Sequence, residues 1–351
     1  MTGRDRRRFT AADFDYVCPP ALIAQRPAPD RAASRLLVLD RATGAVTHRR
    51  FPDFPTLLEP GDLLVRNVSR VIPARLLGTR DNGRPAEVLL VHPEPDGTWL
   101  AMVHPGGKLK IGRRVWFGAT ERRSGAAEAE IVDVVGGGLR RVRFHGLDAG
   151  EVMARYGAVP LPPYIQRPPD DADRERYQTV YARVDGSVAA PTAGLHFTPA
   201  VLDAVAARGA DIADVVLHVG PGTFKPVEVD DPADHVMHAE WYEIPPAAAT
   251  AIQAAKARGG RVWAVGTTAC RVLESAAPDV PAGSGWTDLF IYPPFTFRVG
   301  DALLTNFHLP RSTLVMLVAA FAGYDHTMAA YREAVGERYR LYSYGDAMAI
   351  V

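Results

Sequence analysis

Between residues 61 and 146 no stretch of the chain carries a helical period. "DLLVRN", "RVIPARLLG", "AEVLLVHP", "TWLAMVHP", "RRVWFGA", "AEIVDVVG" and "LRRVRFHG" are short apolar or alternating runs, separated by "DNGRP", "EPDGT", "PGGKLKIG" and "GGG". Alternation bounded by Gly, Pro, Asn and Asp is the pattern of short strands joined by tight turns. Such runs in close succession predict one all-β unit, a small barrel or sandwich.

The sequence around this unit has a different rhythm. "SRLLVLD" (34–40) reads as a buried strand, and so do "IADVVLHVG" (212–220), "RVWAVG" (261–266), "TDLFIYP" (287–293) and "ALLTNFHLP" (302–310). Between them "PAVLDAVAARG", "PPAAATAIQAAKARGG", "TTACRVLESAA" and "STLVMLVAAFAG" read as helices, two of them opening on proline and closing on glycine. Strand–helix alternation predicts an α/β layer with a mostly parallel or mixed sheet. The expected architecture is a discontinuous α/β domain (1–62 and 150–351) carrying an inserted β-barrel domain (63–149).

At 351 residues, 47% hydrophobic and with no formal net charge, the chain is long enough for two domains and a full core. Neutrality argues against a nonspecific nucleic-acid coat but is compatible with one basic face. No run approaches the roughly 18 apolar residues of a membrane span, and no apolar segment follows the basic "MTGRDRRRFTAADF". A cytoplasmic monomer with no membrane partner is expected. Cys18 and Cys270 are too few for a disulfide scaffold or a four-thiolate zinc site.

In open α/β sheets, ligands bind beyond the carboxyl ends of the strands. "GPGTFKPV" follows one strand there, with Gly220, Gly222, Thr223 and Lys225; "GTTACR" follows another, with Thr267, Thr268 and Arg271 opening a helix whose first amides can hold an anion. "NFHLPRST" brings Asn306, His308 and Arg311, and "SVAAPTAGLHFT" (187–198) brings Thr192, Gly194 and His196. Each also has an ordinary explanation: a capped turn, a solvated lysine, a histidine hydrogen-bonded in the core. Together they predict one enzyme pocket. "HVMHAEWYEI" holds His235 and His238, but zinc needs three or four ligands at identifiable spacing, so no metal is expected.

"SVAAPTAGLHFT", "LHVGPGTFKPV", "DHVMHAEWYEI", "VGTTACRVLESAA", "FIYPPF", "DALLTNFHLPRSTLVMLVAAFAGY" and "YRLYSYGDAMAI" resemble, in order, the S-adenosylmethionine:tRNA ribosyltransferase-isomerases of queuosine biosynthesis. "FDYVCPPALIAQRPAPDRAASRLLVLD", "PGDLLVRNVSRVIPARLLG" and "LPPYIQR…RYQTVYA" match as well, so the resemblance runs nearly the whole length, least clearly across the β unit. It implies an α/β layered domain with an inserted β-barrel. It also implies a reaction: the ribosyl group of S-adenosylmethionine is attached to the aminomethyl of a 7-deazaguanine at the tRNA wobble position. The sugar is rearranged to an epoxycyclopentanediol, giving epoxyqueuosine, while adenine and methionine leave. S-adenosylmethionine is consumed as a co-substrate, and no resident cofactor is implied. The chain departs from the family's pattern at "NVSR", where Val68 replaces a polar residue, and at Pro294, Ala269, Cys270 and a short 277–288 stretch.

A sulfonium acidifies the adjacent 5′ carbon, so this chemistry asks for a base, a proton donor near adenine, and a dry site for the attacking amine. Histidine suits each proton step, which makes His196, His218, His238 and His308 the candidates, with Glu240 and Glu274 to orient a histidine or face the sulfonium. Of these, His196→Ala is expected to lower turnover at least about 10²-fold. Arg35, Arg70, Arg75 and Arg311 are candidates for tRNA phosphates or the methionine carboxylate, against internal ion pairs as the alternative. Three rivals make distinct predictions. A methyltransferase would show a glycine-rich first strand–helix turn with an acidic residue some twenty positions on, an RNA-binding module would bind without turnover, and a hydrolase built on "HVMH" would be sensitive to chelators.

Overall fold

The computed structural model describes residues 8–118, 127–220, 222 and 226–351. Its larger part is built on a nine-stranded mixed sheet. The strand order is Gly283–Thr287, Glu240–Ile244, Asp211–Leu217, Leu63–Asn67, Val262–Val265, Ala302–Asn306, Ala347–Ile350, Arg35–Leu39 and Val46–Arg50. The third to sixth of these run parallel to one another. Two of them, "VWAV" and "ALLTN", are buried along their whole length, as expected of parallel strands covered on both faces.

Two apolar layers cover the sheet. One face packs against the helices Pro246–Ala257, Gly266–Ser275, Thr313–Ala322 and Tyr324–Gly336, through residues such as Ile252, Val272 and Met316. On the other face lie the helix Pro199–Ala207 and the 3-10 segment Phe51–Leu57, contributing Val201, Val205, Phe51 and Phe54 around the fully buried Trp263. The Trp263 indole N–H donates to Asp62 at 3.1 Å, so the ring is buried without stranding its one polar atom.

The smaller part is a closed barrel of six antiparallel strands: Arg75–Arg80, Pro85–Pro93, Trp99–His104, Leu139–His145, Ala127–Gly136 and Arg114–Phe117, the last pairing back to the first. Alternating side chains (Val88, Leu90, Ala101, Val115, Ile131, Val142) fill its interior. The helix Ala149–Tyr156 closes one side through Val152 and Met153, and Gly157–Ala158 then adds to the strand Arg75–Arg80. The barrel unit therefore spans 75–158 rather than 63–149. Leu63–Asn67 lies in the centre of the large sheet, where an apolar run buried on both faces belongs. No single helix among the described residues is long and apolar enough to cross a membrane.

One expected strand is displaced: the edge strand is Gly283–Thr287, and 288–293 carry no ladder. The Leu289 N–H donates instead to the Thr287 hydroxyl, and the Leu289 carbonyl accepts from Arg271. Side chains take the backbone groups that a strand would have paired.

Candidate active site

The strands Asp211–Leu217, Val262–Val265 and Ala302–Asn306 end on the same side of the sheet, and a cleft opens just beyond them. It is lined by Val219 after the first, Gly266, Thr267 and Thr268 after the second, and Thr305 and His308 at the end of the third. Ala190–Ala193 and Leu314 complete the wall, around about 370 Å³ of space that is partly open to solvent. The structure thus brings Thr192, Thr267, Thr268 and His308 together, from two strand ends and the loop before Pro199.

His308 is 7% exposed, and its Nε2 lies 2.8 Å from the Thr305 hydroxyl. Its backbone is clamped as well: the N–H donates to the Tyr331 hydroxyl at 3.2 Å, and the carbonyl accepts from the Tyr16 hydroxyl. Burial holds its pKa down to about 3, so the ring is neutral at physiological pH and has a nitrogen free to accept a proton. Thr305, Tyr16 and Tyr331 were not singled out from the sequence. "FDYVCPP" carried a signal for Tyr16, whereas nothing local marked Tyr331.

Next to the cleft, Arg271 and Glu240 form a buried ion pair, 5% exposed at each residue. The other Glu240 oxygen accepts the Gly220 N–H at 2.7 Å, while Arg271 also donates to the carbonyls of Leu289 and Thr287. The pair therefore ties the loop after one strand end to the helix after another. Glu274 receives three backbone N–H groups, from Arg298, Val299 and Gly300, which fixes a turn rather than facing a ligand.

The other candidates lie elsewhere. His196 lines a different, small cavity with Asp30, Arg31, Ser34, Arg176 and Tyr344; its Nδ1 meets the Ser34 hydroxyl at 2.8 Å and its ring packs on Phe51. Burial pushes its pKa down to about 4, against a smaller opposing effect of the Asn306 amide. Asn306 itself donates to the Tyr342 carbonyl at 3.0 Å. Gly194 is needed for internal packing, because a Cβ there would collide with the Tyr181 hydroxyl and Thr179.

His218 stacks on Trp241, with ring centroids 5.1 Å apart. It sits so close to Gly186 (φ +144°) that a side chain at 186 would strike its ring; burial and the neighbouring His92 hold its pKa near 4. His238 is exposed and abuts Gly222, and His235 meets the Phe290 ring. Among the described residues no group of three or more His, Cys, Asp or Glu stands together to hold a metal. Thr223 and Lys225 lie outside the described residues.

Of the arginines, Arg35 binds Glu337 and lies over the Tyr339 ring, Arg70 faces Asp185 and the Ala182 carbonyl, and Arg75 pairs with Glu87 in the barrel. Arg311 sits at φ +55°, its backbone bonded to Phe14 and Val227, and its Nε is buried without a partner among the described residues. Val68 is buried, with its backbone bonded to Val215, Arg183 and Val184, so this departure falls in packing rather than in the cleft.

Three histidines kept neutral by burial give a signed pH effect. Their folded pKa values of about 4 (His196, His218) and 3 (His308) lie below the unfolded value near 6.5. Below that pH the unfolded chain takes up protons that the folded chain refuses. Their contribution is therefore fully present above about pH 6.5 and is lost as pH falls toward 4. The urea midpoint is expected to hold from about pH 8 to 7 and to drop between about 6.5 and 5, above the carboxylate range. A midpoint that is flat or rising over that window would contradict the burial described.

A model of the family described as queuosine biosynthesis protein matches residues 11–350. The S-adenosylmethionine:tRNA ribosyltransferase-isomerase of Symbiobacterium thermophilum is 52% identical over 345 residues, covering 97% of this chain and 99% of the relative. That of Anaeromyxobacter sp. strain Fw109-5 is 54% identical over 344 residues, covering 97% and 98%. The crystal structure of an S-adenosylmethionine tRNA ribosyltransferase from Thermotoga maritima superposes with a TM-score of 0.55 at 40% identity, covering 97% of this chain and all of that one. With these matches spanning both the sheet and the barrel, the chain belongs to the queuosine biosynthesis family of S-adenosylmethionine:tRNA ribosyltransferase-isomerases.

Proposed function

We propose that the cleft at the strand ends binds S-adenosylmethionine together with a tRNA whose wobble base is 7-aminomethyl-7-deazaguanine. There the enzyme transfers and isomerises the ribosyl group, giving epoxyqueuosine-tRNA, adenine and methionine. The observation that carries this reading is the convergence of Thr192, Thr267, Thr268, Thr305 and His308 at the carboxyl ends of parallel strands, where this sheet type places its ligands. The relatives named above support the donor and the acceptor class.

The residues fit the demands of the chemistry. Removal of a 5′ proton beside the sulfonium needs a neutral acceptor, and His308 is neutral and held by Thr305. With Nε2 engaged, a ligand exchanges a proton with the ring at Nδ1 or through the Thr305 hydroxyl. Ala190, Pro191, Ala193, Val219 and Leu314 keep one wall apolar, which favours an uncharged amine as the nucleophile over its ammonium form. S-adenosylmethionine acts as a consumed co-substrate, and the proton transfers ask for no resident cofactor.

Donor labelled with ¹³C in the ribose tests the reading. Five labelled carbons in the wobble nucleoside (the ~5 of a ribose unit, by the proton and bond changes above) are the expected result. An acceptor that gains only an unlabelled methyl group, with the labelled ribose retained in S-adenosylhomocysteine, would overturn it.

A further inference from the structure

The helix Gly266–Ser275 begins inside the cleft, and its beginning is unlike that of a self-sufficient helix. The first amides of any helix have no partner within it, and buried amides need one. Here no side chain caps the start, and no acidic residue stands in the first turn. The start is also buried: Gly266 turns the chain at φ +88°, Thr267 is 7% exposed and Thr268 9%. A second, independent observation points the same way. The Thr268 hydroxyl is buried and has no hydrogen-bond partner among the described residues, although Thr268 lines the cleft. A buried hydroxyl without a partner and a helix start with no side-chain cap, at the positive end of a helix dipole, together suit an anionic oxygen group.

We infer that the start of this helix, with the Thr268 hydroxyl, holds the carboxylate of the methionine part of S-adenosylmethionine. The inference rests on the proposed donor and deepens it. A tRNA phosphate presents the same chemistry, but the wall beside this start is made largely by the apolar Ala190, Pro191, Ala193 and Leu314, which suits the short end of a small donor. Anchoring the carboxylate here would set the reach of the donor: its sulfonium and ribose would extend from the helix toward His308 on the neighbouring strand end.

The test compares S-adenosylmethionine with its decarboxylated form, which keeps the sulfonium, ribose and adenine. Binding of both is measured by calorimetry on the wild-type enzyme and on Thr268→Val, with Thr268→Ser as the conservative rescue and circular dichroism as the folding check. The wild type is expected to favour the carboxylated donor by about tenfold or more, the scale of a hydrogen bond to a charged group. Thr268→Val is expected to lose most of that preference by weakening only the carboxylated donor, and Thr268→Ser to restore it. Equal affinity of the wild type for both donors would overturn the inference, as would a Thr268→Val loss shared equally by both. A Thr268→Val effect confined to the KM for tRNA would also overturn it, and would assign the helix start to a phosphate. Adenine release from wild-type enzyme that does not discriminate between the donors defeats this site alone. Failure of the wild type to release adenine defeats the proposed reaction, while the two donor affinities still decide the carboxylate.

Discussion

His308→Ala is expected to lower kcat about 10²-fold or more, the usual scale for a positioned acid–base group. The dissociation constant for S-adenosylmethionine should stay within about threefold of wild type, because the proposed role concerns a proton rather than binding energy. The ring stands in the cleft, is neutral because it is buried, and is oriented by Thr305 on one side and by a doubly held backbone on the other. Thr305→Val should reproduce part of the loss by releasing the ring. Single-turnover kinetics over a range of donor concentrations separates the two parameters. A normal kcat for a folded His308→Ala enzyme would remove His308 from the chemistry. A full loss in His196→Ala with unchanged stability would transfer the role to a ring that faces the other cavity.

Glu240→Gln is expected to cost about 3–5 kcal/mol of folding stability, because it leaves the Arg271 guanidinium buried without its counter-charge. The glutamine can still accept the Gly220 N–H, so the charge is what is lost. Adding Arg271→Met should recover much of the deficit, since the double variant no longer buries an unpaired charge. Urea denaturation of the two single variants and the double variant measures the coupling. A Glu240→Gln protein as stable as wild type, or a double variant worse than both singles, would mean that the pair is not the buried tie described.

Much of this arrangement was legible in the sequence, for reasons tied to particular segments. "VWAV" followed by "GTTACR" could only be a buried strand feeding a helix, and the rule that ligands gather at the carboxyl ends of such strands led to Thr267, Thr268 and His308. The turn chemistry between 80 and 138 marked the barrel. Its lower boundary was misplaced because "DLLVRN" resembles the barrel strands in length and apolar content, and nothing local says that it is buried on both faces. His196 was paired with Thr192 because they share one short loop. The loop is a 3-10 turn, Thr192–His196, in which residues three apart eclipse and residues four apart diverge by about a third of a turn. Thr192 therefore lines the cleft while His196 lines the other cavity. Glu240 and Glu274 look alike in the sequence. Only the fold assigns one to a buried arginine and the other to three backbone amides.

Adenine release from S-adenosylmethionine by the purified protein tests the central claim most directly. It is run with tRNA carrying 7-aminomethyl-7-deazaguanine at the wobble position and with the same tRNA carrying guanine. Adenine formed with the first tRNA and not with the second is the result this account predicts. Folded protein that releases no adenine with either tRNA, or the same amount with both, would contradict it.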